Sequence, residues 1–409
     1  MTTPLVFTLL PSPPIDYGTG TRDSITDIVA LAKRAEESGF DGFFLADSLD
    51  YEPGFSTRTK FEPVSLAAAI LSAVERISAI ITISTTFNHP YHVARSLTSL
   101  AHIGAGRIGV NLVTSFGGEQ NFGLTQLPAP DERYSRAEEF IEVVRQLWWS
   151  WGPTGESPAP IDYASEHLRV KGPLSIRPYL DELLIAQSGQ SPAGIELAAK
   201  AAKFVFTAAQ ADHLQERYFK MLTEQASRIR NDGMRPAVLM GLAPIIGETR
   251  EQAWEYVQSM WGAQTYESQL AKIEAVLGID LSRVDPQAPF PRHRLLPIEE
   301  VVRRPGRAAS IYEVVEKNDL TLAELVRIET RHNGHRTVVG TAQQVADEIT
   351  RIAGLGTLDG FIILLPKRSD LIDPIFEELV PRLKDRGIFV PATDAKTTLG
   401  RFDRRATRL

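Results

Sequence analysis

The chain has 409 residues, and 44 lysines and arginines against 51 aspartates and glutamates leave a formal charge of −7. Its 43% hydrophobic and 23% charged residues are a globular balance, and the absence of cysteine excludes disulfide scaffolds, thiolate zinc sites and cysteine nucleophiles. Net acidity argues against nucleic-acid binding. No apolar run approaches the ~20 residues of a membrane span, and Met1 to Asp16 lacks the pattern of a cleavable leader, so a cytoplasmic location without membrane contact is expected.

Pro4 to Leu10 reads as a strand. Ile25, Ile28, Val29, Ala32 and Ala35 recur at helical spacing from Ser24 to Ser38, and Gly39 ends the run. Asp41 to Ala46 is a second strand, Pro63 to Val74 a helix, and Ser78 to Thr85 a β-branched strand. Tyr91 to Ile103 is helical and stops at Gly104. Arg107 to Val113 is a fourth strand, followed by the glycine-rich loop Ser115 to Gly123. Asp131 to Trp151 is a long helix that Asp131 can cap, with Ile141, Val144, Leu147 and Trp148 on its apolar stripe. Pro153 to Pro178 is rich in turns. Leu183 to Gln187, Phe204 to Ala208, Ala237 to Ile246 and Gly360 to Leu365 are further strands, each followed by a helical stretch.

Strands alternating with helices along a whole chain imply a parallel sheet with right-handed crossovers. The count of about eight units is the number that closes a (β/α)8 TIM barrel. Residues 1–390 therefore read as one barrel domain. The proline-rich stretch Leu277 to Asn333 interrupts the rhythm and reads as an insertion at about 277–335, a lid or a surface that packs on a neighbouring subunit. Residues 391–409 are a tail whose Arg401, Arg404, Arg405 and Arg408 suit a solvated or subunit-contacting segment.

Active sites of such barrels lie at the carboxyl ends of the strands. The polar residues there are Ala46, Asp47 and Ser48, then Thr85, Thr86, Asn88 and His89, then Asn111, Thr114 and Ser115, then Ser188, Gly189, Gln190 and Ser191. The last group runs from a strand into a helix that opens with Pro192. Small residues there let a ligand approach the backbone, and N–H groups and hydroxyls at a helix start suit a phosphate; a plain capped turn is the alternative. Asp47 suits a hydrogen bond to a ring N–H, or a cap. His89 and His92 lie three apart without a carboxylate cluster, so no metal is expected there, and Asn88-His89-Pro90 reads as a turn that lines a pocket. His332 and His335 fall in a glycine-containing loop and read as exposed. No hydrolase elbow, Walker loop or dinucleotide fingerprint occurs.

Several stretches together carry a resemblance: Phe43-Phe44-Leu45-Ala46-Asp47, Ser84-Thr85-Thr86-Phe87-Asn88-His89-Pro90, Gly106-Arg107-Ile108-Gly109-Val110-Asn111, Asp131-Glu132-Arg133-Tyr134, Gly189-Gln190-Ser191-Pro192-Ala193-Gly194 and Val339-Gly340-Thr341. In this order they resemble the flavin-dependent, luciferase-like monooxygenases of the nitrilotriacetate, dibenzothiophene-sulfone and long-chain alkane group. The resemblance implies a TIM barrel with insertions and reduced FMN (FMNH2) delivered by a separate NAD(P)H-dependent flavin reductase. It implies O2 activated as a flavin C4a-(hydro)peroxide that oxygenates a small organic substrate, in a homodimer or homotetramer. Carried over by motif, Ser188, Ser191, Gly189, Gln190 and Tyr134 hold the phosphate. Ala46, Asp47, Thr86, Asn88, Asn111 and Ser115 border the flavin ring, and Asn88, His89 and Asn111 are the catalytic candidates. The region Leu10 to Asp16 lacks the histidine and Trp-Arg pair usual in the family. A deazaflavin (F420)-dependent oxidoreductase and a non-catalytic flavin-binding accessory protein remain the alternatives.

Overall fold

The computed structural model describes residues 4–11, 24–49, 61–152, 157–262, 265–329, 334–366, 368–394, 396, 400–402 and 407–408. The expectations placed on residues 12–16, His332, Arg404 and Arg405 lie outside them.

Eight strands, rich in β-branched and aromatic residues, are buried along nearly all their length. They are β1 (Val6–Leu10), β2 (Gly42–Leu45), β3 (Ser78–Ser84), β4 (Ile108–Val113), β5 (Leu184–Gln187), β6 (Phe204–Thr207), β7 (Ala237–Ile246) and β8 (Gly360–Leu364). Each pairs in parallel with its neighbour, and β8 pairs with both β7 and β1, so the sheet closes on itself as the expected (β/α)8 barrel. The ten-residue β7 forks: β8 pairs with Leu239 to Leu242, and a further strand, Arg336–Gly340, pairs with Leu242 to Ile246.

Period-two alternation divides the side chains. Val6, Phe44, Ile80, Phe204, Leu239 and Ile362 fill the barrel interior. Phe7, Leu9, Phe43, Ala79, Ile81 and Phe361 face outward into a core shared with the surrounding helices. The helices between strands are α1 (Ile25–Ser38), α2 (Pro63–Ala73), α3 (Pro90–Ile103), α4 (Pro130–Trp149), α5 (Pro192–Ala201) and α6 (Asp212–Ile229). Ser24 caps α1 and Gly39 closes it in the left-handed conformation, as their residue types predict. Helix α4 differs from expectation at its start. Ala129 is its N-cap and Pro130 occupies the first turn, so Asp131 stands inside the helix, where a carboxylate still favours the positive end of the dipole. Trp148 is core, and its indole N–H donates to Leu180 O at 2.8 Å. The turn-rich region that follows contains a small antiparallel hairpin, Ile161–Ala164 with Arg169–Gly172.

After β7 the chain forms α7 (Arg250–Gly262), α8 (Tyr266–Leu277), α9 (Pro305–Lys317) and α10 (Leu322–Glu329), and returns through the forked strand and α11 (Ala342–Ala353) to β8. Leu270, Ile273, Leu277, Phe290, Ile311 and Leu325 make a separate satellite core. That core draws on α8, upstream of the prolines that mark the insertion in the sequence. After β8, α12 (Val380–Asp385) completes the outer layer.

Part of the basic tail, read from sequence as solvated or subunit-contacting, packs on the barrel itself. Phe402 is fully buried at the amino end of the barrel, 5.3 Å from Phe204 between ring centroids. The Arg401 guanidinium donates to Asp41 Oδ1 at 3.0 Å and to Pro391 O at 2.7 Å. Residues 407–408 pair antiparallel with Met234–Arg235.

Candidate active site

Toward the carboxyl ends of β3 and β4 the interior turns from apolar to polar. Asn111 is buried; its Nδ2 donates to Thr82 Oγ1 at 3.2 Å, and its Oδ1 has no partner among the described residues. The Ser115 hydroxyl donates to Ser84 Oγ at 2.7 Å, and the Phe87 amide donates to the same oxygen at 3.3 Å. Asn88 Nδ2 donates to Ser84 O at 2.9 Å. Ser84 thus gathers Asn88, Ser115 and the loop after β3 into one network. Thr86 lies just outside it, its hydroxyl donating to Thr114 O at 2.6 Å. A small cleft opens here, lined by Asp47, Thr82, Ser84, Ser115 and Phe116 among others. Asp47 Oδ1 accepts from the Ser48 amide at 2.8 Å, and Ala46 beside it is exposed.

Ser115 has φ +56, a left-handed backbone that costs a non-glycine residue ~1 kcal/mol. Its carbonyl accepts from Arg133 Nη1, which together with the hydroxyl bond holds it there.

The exit of β5 forms the second part of the site. Ser191 is the N-cap of α5; its Oγ accepts from the Gly194 amide at 3.2 Å and donates to the Tyr134 hydroxyl at 3.0 Å. An added Cβ at Gly189 would stand 2.9 Å from Gly194 Cα and 3.1 Å from the Tyr134 hydroxyl, and one at Gly194 would stand 2.8 Å from Gly189 Cα. Only glycine fits at either place, so the two backbones pack directly on each other beside the Tyr134 hydroxyl and form a close-packed cradle of backbone at a helix start, where an anion is favoured. The Gly189 amide is engaged by Gln187 Oε1, so the donors the cradle can offer are the hydroxyls of Ser191 and Tyr134, the Ser191 proton becoming available when it rotates away from Tyr134. Gln190 Nε2 donates to Ala208 O at 3.0 Å, which braces the loop, and Ser188 is half-buried beside it. From the insertion, Gly306 closes on the same loop: a Cβ there would stand 2.8 Å from the Ser191 amide nitrogen.

Two histidines fall differently from their sequence reading. His89 is exposed, outside the residues lining the cleft, and its Nδ1 accepts from the Tyr91 amide at 3.3 Å as the N-cap of α3. Although the residue is exposed overall, partial desolvation of the ring, with the charges of His92 and Arg136, lowers its pKa below the ordinary value of 6.5, which favours the neutral form that can accept. His335, expected in an exposed loop, instead stacks inside the barrel on Phe206, with centroids 4.8 Å apart and rings 10° from parallel. Gly241 of β7 makes the room, since a Cβ there would collide with the imidazole. A lone glycine amid the large residues of a central strand is the signal in the sequence that another group approaches there.

The sequence profile of luciferase-like monooxygenases matches residues 4–358. This chain belongs to that family. Among its relatives, N-acetyl-S-(2-succino)cysteine monooxygenase of Bacillus subtilis is 33% identical over 384 residues, covering 88% of this chain and 85% of that protein. Nitrilotriacetate monooxygenase component A of Aminobacter aminovorans is 31% identical over 390 residues, with the same 88% and 85% coverage. The solved structure of EDTA monooxygenase from Chelativorans sp. BNC1 superposes with a TM-score of 0.74 at 26% identity over 98% of both chains. Among the described residues of this luciferase-like monooxygenase, no helix is long and apolar enough to cross a membrane.

Proposed function

We propose that this flavin-dependent monooxygenase is the oxygenase component of a two-component system, taking reduced FMN from a separate NAD(P)H-dependent reductase and oxygenating a small organic substrate with O2. The observation that carries the reading is the Gly189–Gly194 cradle with the Ser191 and Tyr134 hydroxyls, set at the same barrel mouth as the cleft beside Asn111. A flavin mononucleotide needs such a pair: an anion site for its phosphate and a polar-edged slot for its ring.

The residues fit that group. Ser191 and Tyr134 donate to the phosphate, and the α5 N-terminus adds its dipole. The buried Asn111 Oδ1, without a partner among the described residues, accepts from a ring N–H. Ser84 fixes Asn88 and Ser115 along one edge of the cleft, and Phe116 walls off water. When bound, the reduced flavin supplies the electron pair that puts one atom of O2 into the substrate and releases the other as water, itself left oxidised. Among the described residues that line the cleft, Asp47 is the single ionisable side chain and the rest are neutral, in keeping with chemistry that the cofactor carries.

The test separates phosphate from ring. Changing Ser191→Ala together with Tyr134→Phe removes two hydrogen bonds to a charged group, each worth ~1.5–3 kcal/mol. FMN affinity by fluorescence titration should fall at least tenfold while riboflavin affinity holds. Equal losses for both ligands would place the phosphate elsewhere.

A further inference from the structure

Three arginines fasten the insertion to the cleft. Arg303 Nη1 donates to Phe116 O at 3.2 Å, and its Nη2 reaches Glu119 Oε1, also at 3.2 Å. The Arg304 guanidinium lies 3.5 Å above the centre of the Phe116 ring. The third, Arg133, comes from neither side. It projects from α4, is buried to 3% exposure, and holds Ser115 O with Nη1 and Val302 O at 2.6 Å with Nη2. One planar fork thus joins a barrel helix, the strained residue of the cleft and the backbone of the insertion. Tyr134, the next residue along α4, stands at the phosphate cradle.

We propose that Arg133 is a positioning residue that makes the geometry of the ring end of the cleft conditional on the docking of residues 302–304. The claim rests on the flavin reading above. Ser115 stands at φ +56 with its carbonyl held by Arg133, and from that conformation its hydroxyl meets Ser84. Undocking of Val302 leaves the buried fork with one carbonyl where it is built for two. Lysine, with a single nitrogen centre, cannot span both carbonyls. By linkage, whatever the docked segment does for flavin binding, bound flavin does for docking.

The full chain and oxidised FMN test this. Trypsin cleaves after the exposed Arg303 when the segment lifts, and the bond after Arg304 is protected by Pro305. In the native chain saturating FMN should slow that cleavage about tenfold, within the usual range of coupling between sites. In Arg133→Lys, FMN should still bind through the untouched cradle, its protection should fall below about twofold, and the visible circular dichroism of the bound flavin should weaken. A merely structural arginine would lower thermal stability and leave protection and dichroism intact. Should Arg133→Lys not fold, Arg304→Ala loosens the segment from its own side: cleavage should quicken and the dichroism of bound FMN weaken together. Protection retained in Arg133→Lys, no protection in a native chain that binds FMN, or unchanged dichroism in Arg304→Ala would each overturn the proposal. Failure of the native chain to bind FMN would instead overturn the flavin reading and this inference with it.

Discussion

The buried end of the tail offers a test of what closes the barrel floor. Phe402 is fully buried against Phe204, and the carbon end of its ring would lie 3.1 Å from a Cβ at Gly42. Removing a fully buried phenylalanine costs the transfer of its ring plus the cavity left behind, ~3–5 kcal/mol. One feature sets Phe402→Ala toward the lower part of that range. The neighbouring Asp41 keeps a second partner, since its Oδ2 accepts from the Phe7 amide at 2.9 Å even if Arg401 departs. The expectation is a loss of about 3 kcal/mol in urea denaturation at neutral pH, with FMN affinity unchanged because the cradle and cleft lie at the opposite end of the strands. A loss below ~1 kcal/mol would mean that the ring is not a structural plug, and a parallel fall in FMN affinity would mean that the two ends are not independent.

Two further outcomes follow from single residues. The His89 cap requires the neutral ring, whose folded pKa lies below the 6.5 of the free side chain. The unfolded chain therefore binds the proton more readily, and the cap's contribution is present above pH ~6.5 and lost as the pH falls through the lower folded value. His89→Asn, which caps without titrating, should lose less stability than the native chain between pH 7.5 and 5, by up to the ~1 kcal/mol of an N-cap; equal losses in urea denaturation would remove His89 from the account. Gly241→Ala should drive the His335 ring off Phe206, where the new methyl also meets the ring edge at 2.6 Å. It should cost ~1–3 kcal/mol, and an unshifted His335 imidazole resonance in the variant would contradict the packing.

Much of the barrel was legible because burial on both faces writes a strand as an uninterrupted apolar run. Ser78 to Ser84, β-branched at four of its seven positions, and Ala237 to Ile246 need no periodicity to be seen. The polar residues that follow such runs were readable for the same reason, and the glycines at 189 and 194 announced a close approach. What escaped depended on partners distant in the sequence. The hairpin Ile161–Ala164 with Arg169–Gly172 is half-exposed on alternate residues and carries no long apolar run. Phe402 stands among arginines, so the tail read as solvated or subunit-contacting, whereas the hydrophobic partner of Phe402 is nearly 200 residues away. His335 was misplaced because a loop beside glycine is usually exposed, and nothing local tells that a glycine in β7 waits beneath it. The Asp131 expectation failed more simply: Pro130 already fits the first turn, which moves the helix start one residue earlier.

The fork in β7 has an architectural consequence. Its lower half completes the ring with β6 and β8, and its upper half stands above the ring and carries the strand Arg336–Gly340. Everything between Gly247 and His335 leaves from and comes back to this single mast. No rung of the ring's own ladder depends on that excursion. Nature can therefore re-rig the superstructure, lengthening or recasting it for a new cargo, while the hull beneath keeps its shape.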